Sequence, residues 1–145
     1  MPLEPDSGLR GASGFSLSGA KALMFRPETK ILITDDSLTM RITIKNLLRK
    51  LGFLNLTDAE DGSAGFKMLE IAAETSEPFQ LIFSDFNMPN CTGLEFAKLV
   101  RAQSKYSQVP FIIVSSETER SLLVEFAQAG VNNFIAKPFD DADFK

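Results

Sequence analysis

Five polar residues of this sequence follow, or end, four short apolar segments. The acidic pair Asp35 and Asp36 follows the first segment, Asp85 follows another, Ser115 ends a third and Lys137 follows the last. An aspartate carboxylate can attack a phosphoryl donor, and it is ionised at neutral pH without help from a base. A lysine ammonium and a serine hydroxyl can neutralise charge on the oxygens of the group in transfer. These residues therefore predict phosphoryl transfer to Asp85.

Three of the five residues are carboxylates, which would repel one another if they met at one place. Such repulsion raises carboxylate pKa values unless a cation compensates the charge. Mg²⁺ prefers oxygen ligands and keeps water or phosphate oxygens in the rest of its octahedral shell. Asp35, Asp36 and Asp85 are therefore predicted to bind Mg²⁺ beside a phosphoryl group.

The composition excludes several other kinds of site. The chain has no histidine and one cysteine, Cys91, so an internal disulfide, a cysteine cluster and a histidine-ligated metal are excluded. The net charge is −4 and no basic cluster occurs, so we expect no nucleic-acid partner. The apolar runs are far shorter than the ~20 residues of a membrane span, and no signal pattern begins the chain. We expect a soluble, cytoplasmic protein without membrane contact.

The length of 145 residues suits one globular domain. Residues 1–29 are rich in proline, glycine and serine, which predicts a flexible N-terminal arm, a tag or a linker. Within that arm, Ala20 to Phe25 could form a helical turn or a strand-like contact. Residues 30–145 are predicted to form the folded domain.

Short apolar runs alternate with segments of helical period from Lys30 onward, which predicts an α/β fold around a parallel sheet. The predicted strands are Ile31 to Thr34, Phe53 to Ala59, Phe79 to Ser84, Val109 to Ser115 and Val131 to Ala136. The predicted helices run from Leu38 to Leu51, Ala64 to Ala73, Gly93 to Ala102 and Thr118 to Ala129. The predicted buried face of the first helix is Leu38, Ile42, Ile44, Leu47, Leu48 and Leu51. The third helix could bury Leu94, Ala97 and Val100, or Phe96 and Leu99. The carboxyl ends of parallel strands form the ligand crevice of such folds, so the five polar residues should meet at one edge.

Several motifs resemble those of receiver domains of two-component response regulators. They are Asp35-Asp36-Ser37, Met40-Arg41, Asp85-Phe86-Asn87-Met88-Pro89, Gly93, Ser115 and Lys137-Pro138-Phe139. The resemblance covers about residues 30 to 145 and is strongest to single-domain chemotaxis regulators. It implies a flavodoxin-like, doubly wound, five-stranded parallel sheet of order 2-1-3-4-5.

The resemblance also implies roles for individual residues. Asp85 would be the phosphoacceptor, and Asp36, Asp85 and the backbone carbonyl of Asn87 would ligate Mg²⁺, with Asp35 acting through water. Ser115 and Lys137 would bind the phosphoryl oxygens, and Ser115 and Phe134 would form the conformational switch. The phosphodonor would be a sensor histidine kinase, and the target a downstream protein such as a flagellar motor switch or a phosphatase. Such a domain is not an enzyme in the usual sense, since it catalyses only its own phosphorylation and dephosphorylation.

Other interpretations are possible for the whole chain and for single residues. The chain could be the receiver of a larger response regulator with another output, or a phosphatase of the haloacid dehalogenase type. The phosphatase fits less well, because its nucleophile lies on the first strand and its acidic pair comes late, the reverse of the order here. Phe134 could be a core residue rather than a switch. Met40 and Arg41 could be ordinary inward and outward helix positions, or could contact a kinase or phosphatase.

The end of the chain departs from the receiver pattern. Receivers have a fifth helix of about a dozen residues, whereas Asp140 to Lys145 resembles its opening turn, so this helix is predicted to be truncated or absent. An uncovered apolar sheet face favours association. We therefore expect Ala20 to Phe25, another chain or a rearranged helix to cover it, or the missing helix to belong to a longer native chain.

Overall fold

The computed structural model describes residues 26–116 and 123–137. Its strands are β1 (Lys30–Thr34), β2 (Asn55–Ala59), β3 (Leu81–Asp85), β4 (Phe111–Ser116) and β5 (Asn133–Lys137). Its helices are α1 (Leu38–Lys50), α2 (Gly62–Ala73), α3 (Gly93–Ala102) and α4 (Leu123–Gln128), and Ser104–Tyr106 forms a 3-10 turn.

The five strands form one sheet in the order β2-β1-β3-β4-β5, and every neighbouring pair is parallel. Helices pack on both faces of this sheet, since α1 and α2 contribute to different core clusters. The predicted flavodoxin-like, doubly wound sheet of order 2-1-3-4-5 is therefore confirmed.

Successive strand residues point to opposite faces of the sheet and fill two clusters. Ile31 and Ile33 of β1 pack with Ile44 and Leu48 of α1 on one face, whereas Leu32 belongs to the other. The second cluster includes Leu69 and Ala72 of α2, Phe96, Ala97 and Val100 of α3, and Phe126 of α4. Strands buried on both faces are typical of all-parallel sheets. Polar side chains that could take part in chemistry consequently lie at the strand ends.

The predicted buried face of α1 is partly wrong. Leu38 and Ile42 are 61% and 49% exposed, whereas Ile44 and Leu48 are buried. The residues that pack on the sheet are Met40, Ile44, Leu47, Leu48 and Leu51, which follow helical spacings of three and four. Leu38 and Ile42 lie off this stripe, so their apolar character does not mark the core.

Helix α3 combines the two predicted faces. Phe96, Ala97 and Val100 are fully buried, whereas Leu99 is 45% exposed. At its start, the Thr92 hydroxyl accepts a hydrogen bond from the Glu95 backbone N–H, and the Glu95 side chain accepts one from the Thr92 N–H. This reciprocal pair is a capping box, which satisfies backbone N–H groups at the start of α3.

Residues 26–29, which the sequence assigns to the arm, are hydrogen-bonded to the rest of the domain. The Leu54 N–H donates to the Pro27 carbonyl at 2.9 Å, and the Asn55 amide donates to the Glu28 carbonyl at 3.3 Å. The residues just before the predicted boundary at residue 29 are therefore already hydrogen-bonded to the folded domain.

Three predictions fall outside the described residues. They are the conformation of residues 1–25, including Ala20 to Phe25, the start of the last predicted helix at Thr118, and the truncated or absent fifth helix after residue 137. Within the described ranges, none of the helices is long and apolar enough to cross a membrane.

Candidate functional site

The predicted site residues are placed at the carboxyl edge of the sheet by strand order and register. Thr34 of β1 pairs with Ser84 of β3, so Asp35 and Asp85 come at the next position of two neighbouring strands. Asp85 in turn pairs with Val114 of β4, which places Ser115 one residue further along.

β5 continues the same edge on the other side of β4. Ser115 pairs with Ala136, and Ser116 pairs with Lys137, the last residue of β5. The backbone of Lys137 is therefore at the predicted edge. The role of its ammonium group stays a prediction, because the side chain lies outside what the structure describes.

The three predicted acidic residues converge. One carboxylate oxygen from each of Asp35, Asp36 and Asp85 lies within 4.8 Å of the other two. Asp35 and Asp85 are only 1% and 7% exposed, whereas Asp36 is exposed. Two Mg–O bonds on opposite sides of an ion span about 4 Å, so small side-chain movements would bring these oxygens to one Mg²⁺. Carboxylate oxygens are the ligands that a hard divalent cation prefers, and two of the three carboxylates here belong to nearly buried residues. The residues present therefore fit Mg²⁺.

Asp35 is held at three atoms. Its backbone N–H donates to the Ala59 carbonyl of β2 at 3.1 Å, and its carboxylate oxygen Oδ1 accepts from the Ser37 N–H at 2.8 Å. Its backbone carbonyl accepts from the Arg41 guanidinium at 2.7 Å. Ser37 also caps α1 by accepting from the Met40 N–H at 3.1 Å. The acidic pair is therefore fixed between the end of β1 and the first turn of α1.

The backbone at Asp85 is tightly packed against the start of α3. The Gly93 N–H donates to the Phe86 carbonyl at 2.8 Å. A Cβ at Gly93 would overlap the Asp85 carbonyl oxygen and come within 3.0 Å of the Phe86 Cα. Any side chain larger than that of glycine would therefore displace the backbone of Asp85 or Phe86. Asn87, whose carbonyl is predicted to ligate Mg²⁺, lies two residues beyond Asp85 in the same loop, and that role stays a prediction.

Ser115 is fully buried at the end of β4. Its hydroxyl oxygen has no hydrogen-bond partner within the part of the chain that the structure describes. Burying a hydroxyl without a partner is costly. Ser115 is thus ready to donate a hydrogen bond to a group bound at this edge.

Phe134, the predicted switch aromatic, is 5% exposed and belongs to the larger core cluster. It pairs with Ile113 on β4, two residues before Ser115. In this structure Phe134 is a core residue, and its predicted movement with Ser115 stays a prediction.

Cys91, the single cysteine of the chain, is buried in the loop between β3 and α3. Burial raises the pKa of its thiol, and the nearby carboxylates of Glu95 and Asp61 raise it further. The thiol packs against α2, since a Cβ at Gly62 would come within 2.7 Å of its sulfur. Cys91 therefore fills space between the loop and α2.

An ion-pair group next to the site was not found from the sequence. Arg41 and Lys45 of α1 contact the carboxylate of Asp58 on β2 at 2.7 Å and 3.0 Å. Partial burial acts to raise the pKa of Asp58, but hydrogen bonds from Lys45 and Arg41 and their charges lower it overall. One indication of this group is present in the sequence. The two cations are four residues apart, about one helical turn, so both side chains lie on one face of the helix and can reach the same anion.

Comparisons with known proteins agree with this fold. The model of the response regulator receiver domain matches residues 31–145. The chain therefore belongs to the response regulator receiver family.

Within this family, similar proteins are chemotaxis regulators. The chain is 44% identical over 110 residues to chemotaxis protein CheY of Pseudomonas aeruginosa, covering 76% of this chain and 85% of that protein. It is 41% identical over 116 residues to CheY-3 of Vibrio cholerae, covering 80% and 85%. The resemblance to chemotaxis receivers is thus confirmed.

Solved structures of receiver proteins have the same fold as this chain. The crystal structure of V. cholerae CheY4 superposes with a TM-score of 0.69 at 33% identity, covering 80% of this chain and 92% of that one. The receiver domain of the sensor histidine kinase PA1611 from P. aeruginosa, which has a magnesium ion coordinated in its active-site cleft, gives a TM-score of 0.65 at 27% identity. That match covers 79% of this chain and 89% of the other.

Proposed function

We propose that this receiver accepts a phosphoryl group on Asp85 from a sensor histidine kinase and thereby changes its affinity for a downstream protein in chemotaxis-like signalling. The observation that carries the proposal is the convergence of three carboxylates within 4.8 Å at the carboxyl edge of the sheet. In the transfer, a carboxylate oxygen of Asp85 forms a bond to phosphorus while the phosphorus–nitrogen bond to the kinase histidine breaks. The histidine nitrogen leaves with the bonding electron pair.

The residues that would hold Mg²⁺ are Asp36, Asp85 and the Asn87 carbonyl, with Asp35 acting through water. The ion would neutralise charge on the phosphoryl oxygens and on the acidic residues. Asp35, held at three backbone and side-chain atoms, would keep the acidic pair oriented. A preformed site of this kind avoids reorganisation during the transfer.

Ser115 and Lys137 would bind the oxygens of the transferred group. The buried Ser115 hydroxyl, which has no partner within the described residues, supports this role because a phosphoryl oxygen would satisfy it. Inward movement of Ser115 would open space for Phe134, two positions earlier on the neighbouring strand. The coupled movement of Ser115 and Phe134 would thus let phosphorylation change the shape of a partner-binding surface.

The same proposal covers the biological setting. The chain would act in the cytoplasm as a signalling domain that catalyses only its own phosphorylation and dephosphorylation. A flagellar motor switch or a phosphatase would be its downstream partner. Similarity to chemotaxis CheY proteins at 38–44% identity supports this setting.

The test is phosphorylation by a small phosphodonor with Mg²⁺, followed by intact-protein mass spectrometry. The wild-type chain should gain one phosphoryl group that survives brief exposure to mild acid and is removed by hydroxylamine, and Asp85→Asn should gain none. Asp61→Asn is a matched control, because it makes the same chemical change at the cap of α2, where asparagine also caps well. Equal phosphorylation of Asp85→Asn and the wild type would refute the proposal.

The same reaction distinguishes a receiver from a phosphatase of the haloacid dehalogenase type. A receiver should gain phosphoryl groups in stoichiometric amount and release phosphate slowly. Rapid release over many turnovers would favour the phosphatase. Asp36→Ala should weaken Mg²⁺ binding in either case, so it tests only the metal site.

A further inference from the structure

The acidic pair is supported by a group of three charged residues on α1 and β2. Arg41 Nε donates to one carboxylate oxygen of Asp58 at 2.7 Å, and Lys45 Nζ donates to the other at 3.0 Å. The three side chains are between 14% and 26% exposed. Charge-assisted hydrogen bonds shielded in this way are shorter and stronger than neutral ones in water. The Asp58 carboxylate therefore holds the Arg41 guanidinium in one orientation.

Arg41 differs from Lys45 by a second contact. Its Nη1 donates to the backbone carbonyl oxygen of Asp35 at 2.7 Å. A guanidinium is planar and presents its donors in a rigid fork, so it can bridge a carboxylate and a carbonyl. A lysine ammonium is a compact point charge on a flexible stem. Arg41 thus connects the end of β2 to the first acidic residue of the site.

The carbonyl that Arg41 binds is part of the peptide unit joining Asp35 to Asp36. This unit is planar, so fixing its oxygen restricts the backbone positions of both residues. The N–H of Asp35 is held independently by the Ala59 carbonyl, the residue after Asp58 on β2. The end of β2 therefore controls the backbone on both sides of Asp35.

We propose that Arg41, oriented by Asp58, is a positioning residue that holds Asp35 and Asp36 in place for Mg²⁺. The inference rests on the proposed function, since it concerns the metal site of that function. Three converging carboxylates repel one another before the ion arrives. The Arg41 contact opposes the movement of the acidic pair that would relieve this repulsion.

The test is Mg²⁺ affinity, measured by isothermal titration calorimetry on the full chain. Arg41→Gln removes the fork and the charge, whereas Arg41→Lys keeps the charge and removes the fork. Each should weaken Mg²⁺ binding by roughly 10-fold, the lower end of the effect of altering partners that orient metal ligands. Phosphorylation by a small phosphodonor should slow at limiting Mg²⁺ and recover when Mg²⁺ is saturating.

Lys45→Gln is the matched control. It removes a cation that donates to the same Asp58 carboxylate, whereas the hydrogen bond to the Asp35 carbonyl comes from Arg41. Its effect on Mg²⁺ affinity should stay within about twofold, as expected for a partly exposed ion pair. Removing either cation reduces the repulsion of Mg²⁺, so a charge effect alone would strengthen its binding. Equal weakening by Lys45→Gln and Arg41→Gln would overturn positioning by Arg41 in favour of a general disturbance of the ion-pair group. Wild-type affinity in Arg41→Lys would overturn it as well.

Urea unfolding of each variant shows whether the domain is intact. If Arg41→Gln does not fold, Asp58→Asn replaces it, because this change loosens Arg41 without removing it. Asp58→Asn should weaken Mg²⁺ binding more than Lys45→Gln does, and the reverse order would refute the inference. A wild-type chain that binds no Mg²⁺ and gains no phosphoryl group would instead overturn the proposed function, and this inference with it.

Discussion

Replacing Gly93 by alanine should damage the site through the backbone of the proposed phosphoacceptor. The new Cβ would overlap the Asp85 carbonyl oxygen and lie 3.0 Å from Phe86 Cα and 2.9 Å from a terminal carbon of Ile113. Two of these neighbours are backbone atoms, one of them in buried β3, so they cannot move aside as a flexible side chain would. Overpacking costs about 1–3 kcal/mol. The overlap with a backbone oxygen places Gly93→Ala at the upper end of this range, about 3 kcal/mol. Better helix propensity of alanine returns up to about 1 kcal/mol, so we expect a net loss of about 2 kcal/mol.

Two measurements check this prediction. A loss of about 2 kcal/mol should lower the urea midpoint by roughly 1 M, for a denaturant slope of about 2 kcal/mol per molar. The folded variant should also accept a phosphoryl group more slowly, because relief of the overlap displaces Asp85. Gly52→Ala is the control, since Gly52 has a φ of +101° and nothing within 4 Å of an added Cβ.

The control separates stability from site geometry. A left-handed alanine costs about 1–2 kcal/mol, a loss similar to that at Gly93, but Gly52 follows the end of α1 away from the acidic pair. Gly52→Ala should therefore lose stability and keep its phosphorylation rate. Unchanged stability of Gly93→Ala, or equal slowing in both variants, would refute the packing argument.

Three further predictions concern the buried hydroxyl, one ion pair and the face of α1. Ser115→Ala should not lower the free energy of unfolding and should raise it by about 1 kcal/mol, since a buried hydroxyl with no partner within the described residues is removed; phosphorylation by a small donor should slow by at least about 10-fold, and an unchanged rate would contradict its role. The folded-state pKa of Asp58 lies below its ordinary value of 3.8, so its contribution to stability is present above about pH 4 and is lost as pH falls through the lowered pKa. Urea titrations across that range should show a steeper loss in the wild type than in Asp58→Asn, and parallel curves would disprove the linkage. Leu48→Ala should cost about 2–5 kcal/mol, whereas Leu38→Ala should cost less than about 0.5 kcal/mol; chemical unfolding would refute the assigned face if the order were reversed.

The strand ends could be predicted from the sequence because they depend on local pattern. A buried apolar run followed by Asp35 and Asp36, or by Asp85, shows where a strand stops, and parallel topology then places these ends together. The convergence of the acidic residues within 4.8 Å agrees with this reasoning. The role of Lys137 at this edge remains a prediction beyond its backbone position.

The errors came from features that depend on tertiary packing. Apolar side chains on α1 can be counted from sequence, but the rotation of the helix on the sheet decides that Ile44 is buried and Ile42 is exposed. The Arg41 and Asp58 contact depends on the register of α1 against β2, which no local pattern specifies. The lack of a partner for the Ser115 hydroxyl within the described residues likewise depends on the packing around the end of β4.

The separation of the site residues along the chain has a consequence for folding kinetics. Asp35 and Asp85 become neighbours only when β1 pairs with β3, although β2 and two helices lie between these strands in sequence. Contacts between distant segments form more slowly than local helices, because the intervening loop must close first. During refolding, the helical circular dichroism signal of the chain should therefore recover before its Mg²⁺ affinity does. A partly folded chain would therefore lack the assembled acidic site, because Asp35 and Asp85 would not yet be neighbours.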